Sequence, residues 1–285
     1  MASDFDAIGV PLSSPEQFEQ FVTLHSKRYP KTATPIGGSY IRAGGSDGAQ
    51  VWIQTDPTGA PIGAHPHFAG SSRFRARVDR PLRPMRGTPL DGGLCCAMID
   101  DQPGVPLVVD VPDFAMGAAW AKHGSQVILQ IAAMPRAAQV YTDPEEFAQS
   151  PLAKLSSEGA FIPSGTFRPG GGAIEPPTND AILTGRVVES VARVNDLTAG
   201  RYVSLMVATL GGRIDVVFAA SQLPSVPPVG SIVAGSFVLS ACVIEPKFEA
   251  PKSVIDAAAN EARAMKQPSS STQRPSLMAR LLGRK

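Results

Sequence analysis

Cysteine is scarce in this chain, with three in 285 residues, two of them adjacent at Cys95 and Cys96. Three thiols do not build the disulfide framework of a small secreted domain, and no Cys-x-x-Cys pair offers a zinc site. An excess of one charge is missing too. Lys and Arg number 26 against 25 Asp and Glu, so the formal net charge is +1 and no global field draws the chain to nucleic acid. No apolar run approaches the roughly 18 residues of a membrane-spanning helix. The first nine residues are acidic and lack the apolar stretch of a secretory signal. Gly170-Gly171-Gly172 is not followed by the Lys-Ser or Lys-Thr of a phosphate loop, and Ser164 lacks the surroundings of a nucleophile elbow. The expectation is a soluble cytoplasmic protein with no cofactor and no metal.

What is abundant is turn chemistry. The chain holds 27 glycines and 27 prolines, with 43% apolar and 18% charged residues. That suits a turn-rich β protein with enough apolar residues to bury a core.

The most regular stretch runs from Ala181 to Glu245. Residues 182–193 are rich in Ile, Leu and Val. Asn195, Asp196, Thr198 and Gly200 supply a turn. Tyr202–Leu210 is a second strand, apolar on both faces, and Gly211-Gly212 signals a hairpin into Arg213–Phe218. After a proline-rich link comes a long β-branched run with Gly235 inside it, the mark of a bulge or bend that curls a sheet toward closure. The segment reads as a small OB-like antiparallel barrel packed against another layer.

This pattern, together with Ala7–Gly9, Pro66–Arg73, Asp110–Phe114 and Phe161–Phe167, resembles an uncharacterised family of bacterial proteins. The resemblance covers most of residues 5–245. No activity is assigned to that family, so it implies no functional residue.

Elsewhere, residues 14–29 read as a helix. Ser14 caps it, Pro15 opens it, Gln17 completes a capping box, and Phe18, Phe21, Val22, His25 and Tyr29 form one stripe. Residues 38–80 read as a β-meander, with strands at 39–42, 51–55 and 62–68. Further strands are expected at 92–99, 105–111, 126–132 and 138–141, and a short helix at 113–122. The fold class is α+β, mostly antiparallel. The expected division is an α+β domain over 1–150, a linker packed between domains over 151–180, the barrel over 181–246, and a terminal helix and tail over 247–285.

Four features compete as sites. Arg73, Arg75 and Arg77 alternate with Phe74, Ala76 and Val78, so three guanidinium groups share one strand face. They lie in a stretch with Arg80, Arg83 and Arg86 against one acid, Asp79. Arginine forks suit phosphate or carboxylate on an anionic partner. The competing reading is a solvated face paired with acids from elsewhere. His65 and His67 share a strand face as metal ligands would, but a zinc site needs three or four ligands, and a structural pair explains them more simply. Asp110 and Asp113 flank a turn, where carboxylates serve acid–base chemistry or, more often, turn geometry. In the tail, Leu277, Met278, Leu281 and Leu282 with Arg280, Arg284 and Lys285 form an amphipathic end suited to a partner's groove; folding back onto the chain is the alternative.

The leading expectation is a binding or adaptor protein whose partner is another protein. Its contacts would be Arg73, Arg75, Arg77, Leu277, Leu281 and Leu282. The alternatives are a nucleic-acid-binding OB-like protein and an enzyme built around His65, His67 and Asp110. The barrel stretch sets Arg186, Arg193, Arg201 and Arg213 against Glu189, Asp196, Asp215 and Glu245. That balance disfavours single-strand binding, which needs a basic groove with stacking aromatics.

Overall fold

The computed structural model describes residues 4–83, 87–100, 103–154, 159–166 and 177–265. Two short segments begin the chain. Helix α1 spans Asp4–Ala7, and α2 spans Pro15–Arg28. The Ser14 side chain accepts from Gln17 N–H at the start of α2, while the Gln17 side chain reaches back to Ser13 N–H (2.9 Å). Phe21, Val22 and His25 are buried along one face, the stripe expected from the spacing.

Strands β1 (Lys31–Ala33), β2 (Ser39–Gly44), β3 (Ala49–Thr55) and β4 (Pro61–Phe68) make a four-stranded antiparallel sheet in chain order. The remaining strands form one larger sheet. They are β5 (Phe74–Leu82), β6 (Gly93–Met98), β7 (Pro106–Asp110), β8 (Gln126–Tyr141), β9 (Ala160–Ile162), β10 (Asp180–Val194), β11 (Arg201–Thr209), β12 (Gly212–Ala219) and β13 (Ile232–Glu245).

The larger sheet closes twice. One ring runs β5–β6–β7–β13–β8 and back to β5; the other runs β10–β11–β12–β8–β13 and back to β10. In each, a three-stranded antiparallel meander is followed by a parallel step, from β7 to β13 or from β12 to β8. This is the partly open five-stranded order of an OB-like barrel. The two barrels share β8 and β13, which pair antiparallel from Ile128–Glu245 to Tyr141–Ile232. Residues 181–246 thus supply four strands of their barrel, and the fifth, β8, comes from before residue 150.

The halves repeat in detail. A bulge separates Val78 from Arg80 in β5, and another separates Val187 from Glu189 in β10. Val78 N–H donates to Ser125 O and Gly124 N–H to Val78 O, both 2.8 Å. Val187 N–H donates to Ser231 O and Gly230 N–H to Val187 O, again both 2.8 Å. Gly124 and Gly230 each open a Gly-Ser-x-Val run with positive φ.

The core follows from the strand alternation. Phe74, Leu94 and Val109 from one barrel, Val203, Leu205, Val216 and Phe218 from the other, and Leu129, Ile131 and Phe237 from the shared strands form one buried cluster. On the outer face of β8, β11, β12 and β13, Ala132, Met134, Tyr202, Val217 and Val238 meet Ile41, Val51, Ile53 and Phe68 of the small sheet and Ile8, Val10 and Val22 near the helices. β11 is therefore buried on both faces because a second layer covers the barrel, as its sequence suggested. Helix α3 (Pro144–Gln149) covers the far end through Phe147 against Tyr141 and Ile232.

Three local expectations change. Residues 113–122 form two short 3-10 turns, Phe114–Met116 and Ala118–Trp120, interrupted at Gly117. The strands expected at 126–132 and 138–141 are one strand. Pro135 stays within it because a register shift adjoins its pairing with Phe237, and proline is tolerated at bulges. The hairpin loop is Leu210-Gly211, and Gly212 already pairs with Thr209. Helix α4 (Lys252–Met265) ends the described chain.

Candidate functional site

A cleft of about 510 Å³ opens where the small sheet, the turn after β7 and the strap after β13 converge. Its walls include Tyr40 and Arg42 of β2, Trp52 of β3, Asp113 and Met116 of the turn, and Val243, Lys247 and Phe248 at the end of β13 and beyond. Arg42 and Trp52 are cross-strand partners, which places them on one face of the sheet. The volume lies within the roughly 300–1,000 Å³ of small-molecule pockets.

Tyr40 braces the cleft. Its hydroxyl donates to Leu90 O (2.6 Å) and accepts from Ala115 N–H (3.0 Å), tying the sheet to a loop and to the turn. Trp52 meets Tyr40 edge-on at 6.2 Å between ring centroids, and its Nε1–H donates to Gln50 Oε1 (3.0 Å). The Arg42 guanidinium lies over the Trp52 ring, 5.9 Å from its centroid. Lys247 Nζ donates to Val243 O (2.8 Å). Burial raises the Asp113 carboxyl above its ordinary range, while its own backbone N–H and the charges of Lys247 and Arg42 pull it back.

Apart from the cleft walls, the structure holds a buried polar thread. Asp215 accepts from Gln130 Nε2 (3.0 Å), so the Gln130 oxygen faces the other way and accepts from His67 Nε2–H (2.8 Å). His67 Nδ1 then accepts from the Ser240 hydroxyl (2.9 Å). Burial lowers the His67 imidazole to about 4, against the opposing pull of Gln130 and Asp215, so the ring is neutral near pH 7. Cys242, 3.3 Å from His67 Nε2, is pushed up to about 12 by burial and is no nucleophile at pH 7.

The residues singled out in the sequence go to separate places. Arg73, Arg75 and Arg77 all face solvent, with Phe74, Ala76 and Val78 buried beneath. Arg75 pairs with Asp100 (3.1 Å), and Arg73 donates to Ser72 O. Arg86 and the Leu277, Leu281 and Leu282 tail lie outside the described residues, as does the triple glycine. His65 and His67 take different partners: His65 Nε2 bonds Asp91 Oδ1 at 2.6 Å, and His67 enters the thread. Burial alone would raise the Asp91 carboxyl, but His65, Thr88 N–H and Gln54 hold it well below its usual range. Cys95 is half-buried and Cys96 buried, as opposite strand faces require. Asp113 lines the cleft, whereas Asp110 accepts from Asn179 (2.9 Å) at a strand junction. Among the described residues, no group of three or more His, Cys, Asp or Glu side chains is placed to hold a metal ion, and no helix is long and apolar enough to cross a membrane.

Arg42, Trp52 and Lys247 escaped the sequence reading. One signal was there to find: Tyr40 and Arg42 alternate with apolar Ile41 and Ala43, which announces a polar sheet face. Lys247 has no such signal, because its place depends on where β13 ends.

No protein-family model matches the sequence, and no curated protein matches it. Among solved structures the chain is similar to the cytoplasmic molybdate-binding protein ModG, in a PEG-grown form with molybdate bound. Identity is 14% and the TM-score 0.32, over 63% of this chain and 99% of that one. A likeness this faint carries no inference about what this chain binds.

Proposed function

We propose that the chain is a binding protein whose cleft takes a small anion with an apolar body. The observation that carries this reading is that Arg42 and Lys247 line one cleft together with the apolar side chains of Trp52, Met116 and Phe248. A guanidinium held over an indole by a cation–π contact spends no N–H on a carboxylate there, and its donors remain available for a carboxylate or phosphate. Titration calorimetry with indole-3-propionate tests it. Arg42→Met and Lys247→Met should each weaken binding about tenfold or more, the loss of one charge-assisted hydrogen bond. Equal affinity in both variants and the parent would end the reading.

A second reading keeps a protein partner. The row Arg73, Arg75 and Arg77, exposed on one strand face, suits an acidic segment, and the Leu277, Leu281 and Leu282 tail belongs to the same reading. It calls for salt-dependent binding of a polyglutamate peptide that is lost in the triple Arg→Gln variant. Affinity unchanged by salt or by that variant removes the arginine row, and affinity unchanged by deletion of residues 268–285 removes the tail.

A further inference from the structure

We infer that the ligand of this cleft is a zwitterion of the amino-carboxylate class, its carboxylate held by Arg42 and Lys247 and its ammonium by Asp113. The inference rests on the binding reading above and narrows it.

Three charged side chains line the cleft, and none is paired. Among the described residues, the ion pairs join His65 to Asp91, Arg75 to Asp100, Arg80 and His123 to Asp79, and Arg136 to Asp4; Arg42, Lys247 and Asp113 take part in none. Lys247 spends one N–H on Val243 O, which leaves two donors. Arg42 lies over the Trp52 ring, 5.9 Å from its centroid, without an ion pair to a carboxylate. Asp113 feels both cations at a distance, and its backbone N–H is the donor that serves its carboxylate.

A partly desolvated carboxylate normally collects several donors, as Asp91 does from His65, Gln54 and Thr88. Asp113 has acceptor capacity to spare, in a cavity with room for a ligand. A purely anionic ligand would meet the two cations but bring its charge toward Asp113. A purely cationic ligand would meet Asp113 under the repulsion of two cations. A molecule with one charge of each sign satisfies all three groups. The apolar wall of Trp52, Met116, Val243 and Phe248 then takes its side chain.

The test uses the full chain and three sets of probes, each with one apolar body and three charge states. The indole set is L-tryptophan, indole-3-propionate and tryptamine. The phenyl set is L-phenylalanine, 3-phenylpropionate and phenethylamine. The isobutyl set is L-leucine, 4-methylpentanoate and isoamylamine. In at least one set the zwitterion should bind tenfold or more tighter than both relatives. Asp113→Asn should remove that advantage, weakening the zwitterion while the acid binds as tightly as before or tighter, and unchanged thermal unfolding of the apo variant shows that the fold is intact. If an acid binds as tightly as its zwitterion and Asp113→Asn changes neither, the zwitterion is overturned while the anion-binding reading stands. If no member of any set binds, or if Arg42→Met and Lys247→Met both leave every affinity unchanged, both fall.

Discussion

Asp110 and Asp215 stand at matching points of the two halves. Asp215 lies beside Ala132 where β12 runs parallel to β8, and Asp110 lies beside Ser240 where β7 runs parallel to β13. At each point one strand hands over to another along a shared strand, and a polar residue closes the seam. Ser72 Oγ donates to Ile131 O and accepts from Ile131 N–H in one half. Asn179 O accepts from Leu239 N–H and its side chain donates to Leu239 O in the other. The carboxylate then anchors the closing residue: Ser72 N–H donates to Asp215, and the Asn179 amide donates to Asp110.

The two sites differ in exposure, so their loss should differ in cost. Asp215 is 4% exposed and accepts from Ser71 N–H, Ser72 N–H and Gln130. Asp215→Asn should cost about 2–4 kcal/mol, since buried donors lose a charged acceptor. Asp110 is exposed, and Asp110→Asn should cost less than about 1 kcal/mol. Urea unfolding of the two variants measures the difference, and equal costs would contradict the account.

His67 makes the fold sensitive to acid. Its folded pKa of about 4 lies below the ordinary histidine value of 6.5. Above pH 6.5 the ring is neutral both folded and unfolded, and its contribution is fully present. As pH falls from there toward 4, the unfolded chain gains a proton that the folded chain refuses, and stability drops by up to about 3 kcal/mol. His67→Gln should flatten that slope. Parallel urea midpoints at pH 7 and pH 4.5 would show it, and an identical pH dependence in the variant would refute it.

Gly235, whose place in a strand announced a bulge or bend, lies one residue before the register shift between Ser236 and Phe237. Its φ is +150°, and a Cβ there would lie 2.3 Å from Ala137 O. Gly235→Ala should therefore cost about 2–4 kcal/mol, backbone strain adding to the clash. Gly124 also has positive φ, but a Cβ there meets nothing within 4 Å. Gly124→Ala should cost only about 1–2 kcal/mol, so thermal unfolding should rank the two clearly.

Ligand discrimination in the cleft should carry the signature of Asp113. Burial raises its carboxyl above 3.8. As pH falls, Asp113 is neutralised earlier than an ordinary aspartate, and the advantage of a zwitterion over the matching acid should shrink with it. Calorimetry of L-tryptophan and indole-3-propionate at descending pH measures that ratio. A ratio that stays constant down to pH 4 would detach Asp113 from recognition.

Much of the local structure was legible because it is written in neighbouring residues. Ser14, Pro15 and Gln17 announce α2, and Arg73–Val78 announce an amphipathic strand with its arginines outward. The both-faced apolar pattern of β11 foretold a second layer. The shared strands were not legible, because no local pattern says which distant strand completes a barrel. Pro135 also broke β8 into two apparent pieces. The repeat between halves hid behind unlike residues: only Gly-Ser-x-Val at 124–127 and 230–233 survives as a common string. The cleft was the least legible feature, since Arg42, Asp113 and Lys247 come from three separate parts of the chain.

The exchange of β8 and β13 has a consequence for the birth of the protein on the ribosome. The first four barrel strands emerge together, yet the strand that closes their ring is β13, near the end of the chain. Until it arrives, the nascent first half carries open strand edges, the kind that recruit unintended partners. Closure of both barrels is thus deferred to one late event, and a ribosome that stalls between Tyr141 and Ile232 would present a half-built sheet for a chaperone to shield.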